Sequence, residues 1–167
     1  MDGMSITYKK METEEETKGK AYVHWKSWQD AYAGIVDPGY LDKLTLDNCV
    51  EIAYKWPDNL IVAKDGDRVV GFVGYGENRN DDLTDTGEIF ALYILKEYYG
   101  QGVGYRLMQE GLSRINNYPE VAVWVLKDNE RAIRFYERCG FKDDGREDEI
   151  KLGTTVIMKR MILAVQK

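Results

Sequence analysis

The chain has 167 residues, 44% of them apolar, which is enough to bury a core, and we expect residues 1–167 to form a single domain. Its net charge of −6 argues against nucleic acid and anionic membranes as partners. It has no apolar run of the roughly 20 residues that a membrane span needs. Its N-terminal sequence lacks the basic and apolar regions of a secretory signal, so we expect a cytoplasmic protein.

The first half of the chain predicts one strand, a long helix, two short helices and a hairpin. Thr13 followed by Glu16 matches a capping box, so the long helix begins there and is expected to run to about Ala33. The expected buried stripe of this helix consists of Ala21, Trp25, Trp28 and Tyr32. The other predicted elements are a strand over 6–10, helices over 37–44 and 45–55, and strands over 60–64 and 69–75 around a hairpin turn.

The second half alternates strands and helices. Residues 76–87 are polar and predict a mobile loop. The later predicted elements are a strand over 88–95, a helix with Leu107, Met108, Leu112 and Ile115 on one side, a strand over 121–127, a helix from Asp128-Asn129 to Gly140, and strands over 141–149 and 154–163. This order predicts an α/β (α+β) fold with a mixed, mostly antiparallel sheet of about six or seven strands, about four or five helices and one parallel strand pair.

Glycines occupy every second position of the loop that follows strand 88–95: Gly100, Gly102 and Gly104. Glycine lets backbone N–H groups approach an anion without a Cβ in the way, and a helix N-terminus adds partial positive charge, so the loop suits a phosphate or pyrophosphate. A dinucleotide-binding fold is the alternative. It is disfavoured because its spacing is Gly-x-Gly-x-x-Gly and because Trp124 stands where that fold has an acidic residue.

Two motifs together make the chain resemble the GCN5-related N-acetyltransferase (GNAT) superfamily over nearly its whole length. That family's acetyl-CoA motif is Arg/Gln-x-x-Gly-x-Gly/Ala, and residues 99–104 read Tyr-Gly-Gln-Gly-Val-Gly, with Tyr99 in place of the usual Arg or Gln. Its second motif, Asn-x-x-Ala-x-x-Phe-Tyr-x-x-x-Gly-Phe, is matched by residues 129–141. Residues 27–32 and 34–36 also look like a common bacterial subgroup, and we identify the chain as a small-molecule-type member.

The resemblance implies direct acetyl transfer from acetyl-CoA to a primary amine in a ternary complex, within a sheet that splays apart at its central parallel strand pair. It implies no metal, and one histidine and two cysteines far apart in the sequence do not suggest a zinc site. The residues implied for cofactor binding are Leu92, Tyr93, Ile94, Tyr99, Gly100, Gln101, Gly102, Val103, Gly104, Tyr105, Asn129 and Ala132.

Two residues are implied for catalysis. Tyr136 matches the family tyrosine that faces the CoA sulfur as general acid, although its position also suits a core aromatic side chain. Glu88 is the candidate general base, directly or through a water, and the alternative is a solvated carboxylate at a strand end. Strand alternation places Glu88 on the same face as Phe90, Leu92 and Ile94.

The acceptor is the least constrained part of the prediction. Trp28 and Tyr32 are candidate acceptor-site residues, and Asp30, Asp37 and the acidic loop 81–85 favour a small cationic amine. The alternatives are a protein N-terminal or lysine acetyltransferase and a catalytically silent CoA-binding sensor domain. Dimers are common in the family, and the sequence leaves open whether this chain is a monomer or a homodimer.

Overall fold

The computed structural model describes residues 5–165. Residues 1–4, on which the expectation about a secretory signal partly depends, and residues 166–167 lie outside it. The helices are Glu14–Ala31 (α1), Pro38–Lys43 (α2), Leu46–Lys55 (α3), Val103–Arg114 (α4) and Glu130–Arg138 (α5). The strands are Ile6–Lys10 (β1), Leu60–Asp65 (β2), Arg68–Glu77 (β3), Thr86–Ile94 (β4), Glu120–Leu126 (β5), Lys142–Leu152 (β6) and Thr154–Ala164 (β7). None of the helices in residues 5–165 has the length and apolar character that crossing a membrane requires.

The seven strands form one sheet in the order β1-β2-β3-β4-β5-β7-β6. Strands β4 and β5 pair in parallel, and every other neighbouring pair is antiparallel. The predicted fold class is therefore confirmed, including its single parallel strand pair. The chain leaves β4, passes through α4 and enters the sheet again as β5 in the same direction, so these two strands pair in parallel.

The parallel pair is short, and the two strands part beyond it. Their pairing begins at Thr86 with Glu120 and ends at Ile89 with Val123. On its other side β4 stays paired with β3 up to Ile94, and β5 stays paired with β7 up to Leu126. A gap therefore opens inside the sheet between the second half of β4 and the second half of β5.

A β-bulge at Phe90 corrects the predicted faces of β4. The register against β3 shifts there, because Ile89 and Ala91 pair with consecutive residues of β3 and leave Phe90 as an extra residue. Ile89 and Ile94 consequently both approach glycines of α4. The prediction that Glu88 shares a face with Ile94 and Leu92 is wrong, because the bulge reverses the alternation between them.

Helices α4 and α1 differ in how closely their buried residues follow the predicted stripes. On α4, Leu107, Met108 and Ile115 are buried as predicted. The predicted stripe of α1 is only partly correct: the buried residues of that helix are Glu16, Thr17, Lys20, Ala21, Val23 and Ser27. The reason is that α1 contacts both β3 and α3, which gives a broader buried face than a single stripe. Helix α1 also ends at Ala31, two residues before the predicted end.

Glu16 joins the start of α1 to the sheet. Its side chain is 2% exposed and accepts hydrogen bonds from Lys9 Nζ at 2.7 Å and Lys64 Nζ at 3.0 Å. It also accepts from the N–H groups of Glu12 and Thr13, which completes the predicted capping box. Burial alone would raise the pKa of this carboxyl, but these hydrogen bonds, that from Lys9 first, outweigh burial and hold the pKa well below its ordinary value.

Glu16→Gln is expected to lower the free energy of unfolding by about 3 kcal/mol at pH 7, because it leaves two lysines without their shared carboxylate. A carboxyl with a lowered folded-state pKa stabilises above its ordinary pKa of 4.5, and this stabilisation is lost as the pH falls further. The difference between the variant and the wild type should therefore shrink below pH 4.5, as measured by urea unfolding at several pH values. Glu15→Gln removes an equal charge from the exposed neighbouring position and should change stability by less than about 0.5 kcal/mol. Equal losses in the two variants would contradict this role.

Candidate active site

A cleft of about 1110 Å³ opens where β4 and β5 part. It is lined by both strands, the loop before α4, the buried side of α5, the end of α1 and part of β6. Every site residue predicted from the sequence lines this cleft except Gln101, whose side chain instead donates to the carbonyl of Glu97 at 3.1 Å. The structure therefore brings the predicted residues together in one place, while their individual roles stay predictions.

The floor of the cleft on the β4 side consists of backbone groups. The N–H of Leu95 donates to the carbonyl of Val70 in β3 at 2.9 Å. Since the backbone groups of an antiparallel strand alternate between its two neighbours, the groups of Tyr93 also point to β3, and those of Leu92 and Ile94 point into the gap.

The β5 side of the cleft is arranged in the same way. The N–H of Lys127 donates to the carbonyl of Ile157 in β7 at 2.8 Å, so the backbone groups of Trp124 and the N–H of Leu126 point toward β4 and the gap. The carbonyl of Leu126 is already used, since it accepts from the Asn129 N–H at 2.9 Å. Backbone N–H and C=O groups away from water need hydrogen-bond partners. A linear ligand that carries amide groups would supply such partners to both strands.

The glycine loop forms an open anion cradle beside this gap. Gly100 and Gly102 have φ angles of +74° and +83°, and no atom lies within 4 Å of a Cβ built at either position. Gly102 is the N-cap of α4 and offers no side chain to the first turn. The first backbone hydrogen bond of the helix is the one from Arg106 N–H to Gly102 O, so the earlier N–H groups remain directed outward. Such an end suits a phosphate or pyrophosphate.

Tyr99, which departs from the family motif, holds an arginine. The Arg131 guanidinium carbon lies 3.7 Å from the centre of the Tyr99 ring, and both residues line the cleft. Burial raises the pKa of the Tyr99 hydroxyl, and Arg131 partly offsets that rise. A cation from α5 therefore stands beside the loop at the place where the usual motif has its own arginine or glutamine.

Tyr136 lies on the face of α5 that lines the cleft, and its residue surface is 8% exposed. Its ring packs edge-on against Phe135 and Phe141, with centroids 5.6 and 5.8 Å apart. The packing agrees with the core-aromatic interpretation, and the role as general acid stays a prediction that this position allows. Burial raises the pKa of the Tyr136 hydroxyl well above its ordinary value, which keeps the hydroxyl protonated as a donor. Asn129 caps α5 by accepting from the Ala132 N–H at 3.3 Å.

Glu88 is a buried carboxylate at the other end of the gap. It is 2% exposed, and its Oε2 accepts from Arg79 Nη2 at 3.0 Å. The backbone N–H of Arg79 also donates to Oε1 at 3.3 Å. The Arg79 guanidinium lies over the ring of Phe90 at 4.5 Å. Arg79 and Phe90 line the cleft but were not predicted, because no sequence signal separates an arginine in a polar loop from an ordinary solvated one.

The predicted acceptor residues Trp28 and Tyr32 contact each other, with ring centroids 4.7 Å apart. The Tyr32 hydroxyl lies 3.1 Å from that of Tyr93. The acidic residues expected near the acceptor do not line the cleft. Asp30 pairs with a lysine, Asp37 caps α2 and Asp82 pairs with an arginine. The carboxylates that do line the cleft are Glu88, Asp148 and Glu149.

The single histidine is a packed residue. His24 stacks on Tyr93 with ring centroids 6.3 Å apart and packs edge-on against Trp28 and Phe72. Burial, with a smaller contribution from Lys20, lowers the pKa of His24 to about 4, so the ring is neutral at pH 7. It does not line the cleft. Within residues 5–165, no three histidine, cysteine, aspartate or glutamate side chains come together as a metal site would require.

Comparison with known proteins places this fold and cleft in one family. Residues 22–141 match the model of the Acetyltransferase (GNAT) family. N-alpha-acetyltransferase 30 of Schizosaccharomyces pombe is 39% identical over 90 residues, which are 53% of this chain and 60% of that protein. The N-acetyltransferase YuaI of Bacillus subtilis is 32% identical over 130 residues, 74% of this chain and 73% of that protein. The structure of PaiA N-acetyltransferase from Thermoplasma acidophilum in complex with coenzyme A superimposes with a TM-score of 0.71 at 22% identity, covering 96% of this chain and 99% of that chain.

The chain belongs to the Acetyltransferase (GNAT) family. Membership confirms the predicted class of enzyme, an N-acetyltransferase, and its cosubstrate, acetyl-CoA. It leaves the acceptor open. The aligned part of the fission yeast protein is less than two thirds of that protein, so its substrate is no direct guide to this chain.

Gly102→Ala is expected to raise the KM for acetyl-CoA at least about tenfold, a loss of about 1.4 kcal/mol, because a methyl group would project from the cradle. The positive φ of +83° adds a strain of about 1 kcal/mol to the fold. Gly34 has the same φ and equally open surroundings but does not line the cleft. Gly34→Ala should therefore cost similar stability and leave this KM unchanged. If both variants changed the KM equally, the cradle would not be the cofactor site.

Proposed function

We propose that residues 1–167 act as a single N-acetyltransferase domain that transfers the acetyl group of acetyl-CoA to a small cationic primary amine. Transfer is by direct attack in a ternary complex. The observation that carries the proposal is the gap between β4 and β5, with the glycine cradle after one end and Glu88 before the other. Ile94 lies six positions after Glu88, and because of the bulge this stretch matches five steps of β3, from Gly76 to Gly71, or about 17 Å. The gap therefore accommodates an extended ligand between an anion site and a carboxylate.

The proposed cofactor arrangement follows from the chemistry of each part of the cleft. The pyrophosphate lies on the N–H groups that follow Gly100, and Arg131 adds positive charge there. The pantetheine arm carries amide groups, which pair with the backbone of Leu92 and Ile94 in the gap. A backbone N–H from the same stretch of β4 stabilises the negative charge that develops on the thioester carbonyl oxygen.

Tyr136 and Glu88 are proposed to handle the two protons of the reaction. An alkylammonium has a pKa of roughly 10 and must lose a proton before its nitrogen attacks. Glu88 accepts this proton, directly or through a water. The new C–N bond forms as the C–S bond breaks, and the leaving thiolate takes a proton from the Tyr136 hydroxyl. The second proton of the attacking nitrogen, directly or through a water, then restores the tyrosinate to its hydroxyl form, so the products are the amide and the free thiol. Burial raises the pKa of Tyr136, so the hydroxyl is protonated at neutral pH and is available as a hydrogen-bond donor to the leaving sulfur.

The distribution of charge in the cleft supports a cationic acceptor. The two arginines of α5 that line it, Arg131 and Arg138, lie on the helix that flanks the cofactor gap. The carboxylates that line it are on strands: Glu88 on β4, and Asp148 and Glu149 on β6. Arg79 also lines the cleft but is paired with Glu88; apart from it, the arginines and the carboxylates lie on different sides, and this separation favours an anionic cosubstrate on one side and a cation on the other. A small amine suits the aromatic wall of Trp28 and Tyr32.

The amino terminus of a polypeptide is the second candidate acceptor. It is favoured by the 39% identity of 90 residues with a protein named N-alpha-acetyltransferase 30. Both acceptors are primary amines, so the same proton transfers serve either. They differ in what surrounds the amine: a short apolar stem with a second charge, or an extended peptide backbone.

An amine panel tests the acceptor class by thiol release from acetyl-CoA. We expect kcat/KM for 1,4-diaminobutane to exceed that for 4-aminobutanoate and for a short peptide with a free N-terminus, each by at least about tenfold, because only the diamine brings two positive charges to the carboxylates. Faster turnover of the peptide would instead favour the second candidate. Tight CoA binding with no thiol release for any amine would favour a catalytically silent sensor domain.

Tyr136→Phe is expected to lower kcat about 100-fold and to leave the KM for acetyl-CoA within about twofold, because only the proton donor is removed. Wild-type kcat should show no loss attributable to this tyrosine up to about pH 10, since burial raises its pKa. Tyr54→Phe removes a hydroxyl from an exposed ring on α3 and should leave both constants unchanged. Undiminished turnover of Tyr136→Phe would remove the proposed general acid.

A further inference from the structure

The side chain of Arg79 lies at the acceptor end of the cleft and is itself a cation. Its guanidinium contacts two cleft residues, Glu88 through a 3.0 Å hydrogen bond and Phe90 through its ring face at 4.5 Å. Its side chain is nevertheless 71% exposed. The guanidinium therefore lies over Glu88 and Phe90 at the boundary between the cleft and solvent.

The two groups beneath Arg79 have the chemistry of an ammonium site. Glu88 provides a carboxylate that is 2% exposed, and Phe90 provides a ring that is 40% exposed. A buried carboxylate beside an aromatic face attracts a cation both by charge and by the ring quadrupole. An ammonium group is smaller than a guanidinium and supplies the same charge and N–H donors, and its alkyl stem can lie along the ring.

The backbone that carries Arg79 is held by other residues. The segment 78–85, here called the strap, was predicted to be mobile but is bonded to the sheet at two points. Asn80 accepts from Trp124 Nε1 at 2.9 Å, and Asp82 forms two 2.9 Å bonds with Arg160. Asn78 additionally bonds the backbone within the strap. The guanidinium can thus leave Glu88 by rotation of its own side chain, while the strap stays in place.

We propose that Arg79 is a displaceable occupant of the acceptor's ammonium site, which Glu88 and Phe90 form. The inference rests on the proposed function, because it places the acceptor's cation at that site. Acceptor binding is then an exchange of one cation for another at the same carboxylate. The exchange sets specificity, since a neutral or anionic acceptor gains nothing at Glu88 that would replace the lost guanidinium contact.

Arg79→Gln tests the exchange without relying on turnover. Isothermal titration of 1,4-diaminobutane into the CoA-saturated protein should show roughly two- to fivefold tighter binding in this variant than in the wild type, because the competing internal cation is gone. Arg79→Lys keeps the charge and should bind the diamine like the wild type. Butan-1-ol, a neutral probe with the same stem, should show no change in any variant.

Two further variants serve as controls. Arg68→Gln removes an exposed arginine that pairs with Glu97 outside the cleft, and it should leave diamine binding unchanged. Phe90→Leu in the Arg79→Gln background should weaken diamine binding by roughly three- to fivefold, because the ring face is lost. Thermal unfolding checks that each variant is folded.

Unchanged or weaker diamine binding in Arg79→Gln would overturn the inference, since it would mean that Arg79 does not compete with the cation or helps to hold the acceptor. This failure is distinct from failure of the proposed function. Diamine binding is measured by isothermal titration, whereas the proposed function is tested by thiol release. A protein that binds the diamine more tightly after Arg79→Gln but releases no thiol would support the cation exchange and contradict the proposed function.

Discussion

The structure depends on one constraint: β4 and β5 are paired over only four residues and then part. The bulge at Phe90 lies immediately after the last pair, Ile89 with Val123. A bulge interrupts the ladder and bends its strand, and β4 turns away from β5 from that point on. Backbone groups that would have satisfied each other are left facing a shared gap. A ligand with amide groups is the physical complement of that gap, which is why this cleft suits the pantetheine arm of acetyl-CoA.

The elements on either side of the gap add an anion site and polar side chains to the backbone groups of the two strands. Helix α4 begins at Gly102 and directs its free N–H groups and partial positive charge to one end. Helix α5 contributes Tyr136 toward the centre, and its Arg131 is held in place by Tyr99. The other end is acidic, through Glu88. Helix α1, tied to the sheet by Glu16, lines the cleft with the aromatic side chains of Trp28 and of its C-cap, Tyr32. The proposed reaction needs an anion site, a proton donor and a proton acceptor, and the glycine loop, Tyr136 and Glu88 all line the one cleft that the gap forms.

The glycine loop and the Asn129–Phe141 motif could be predicted from the sequence, because each encodes local backbone geometry: positive φ angles in one case, and in the other a helix that is capped by Asn129 and ends at Arg138, just before Gly140. The mostly antiparallel sheet with one parallel pair followed from the order of strands and helices along the chain. The bulge at Phe90 was not readable, since it arises from pairing with β3 and leaves no local pattern. Because of it, strand alternation misplaced Glu88. Arg79 was missed for a related reason: only the folded strap brings it to Glu88.

A structure of the complex with CoA is the most direct test of the gap as the cofactor site. The pantetheine arm should lie between β4 and β5 and accept and donate hydrogen bonds at Leu92 and Ile94, with the pyrophosphate on the loop before α4. The CoA sulfur should come within about 3.5 Å of the Tyr136 hydroxyl, the reach of a hydrogen bond to sulfur. Coenzyme bound outside the gap, or a sulfur far from Tyr136 with the gap closed by direct pairing of β4 and β5, would contradict the central claim.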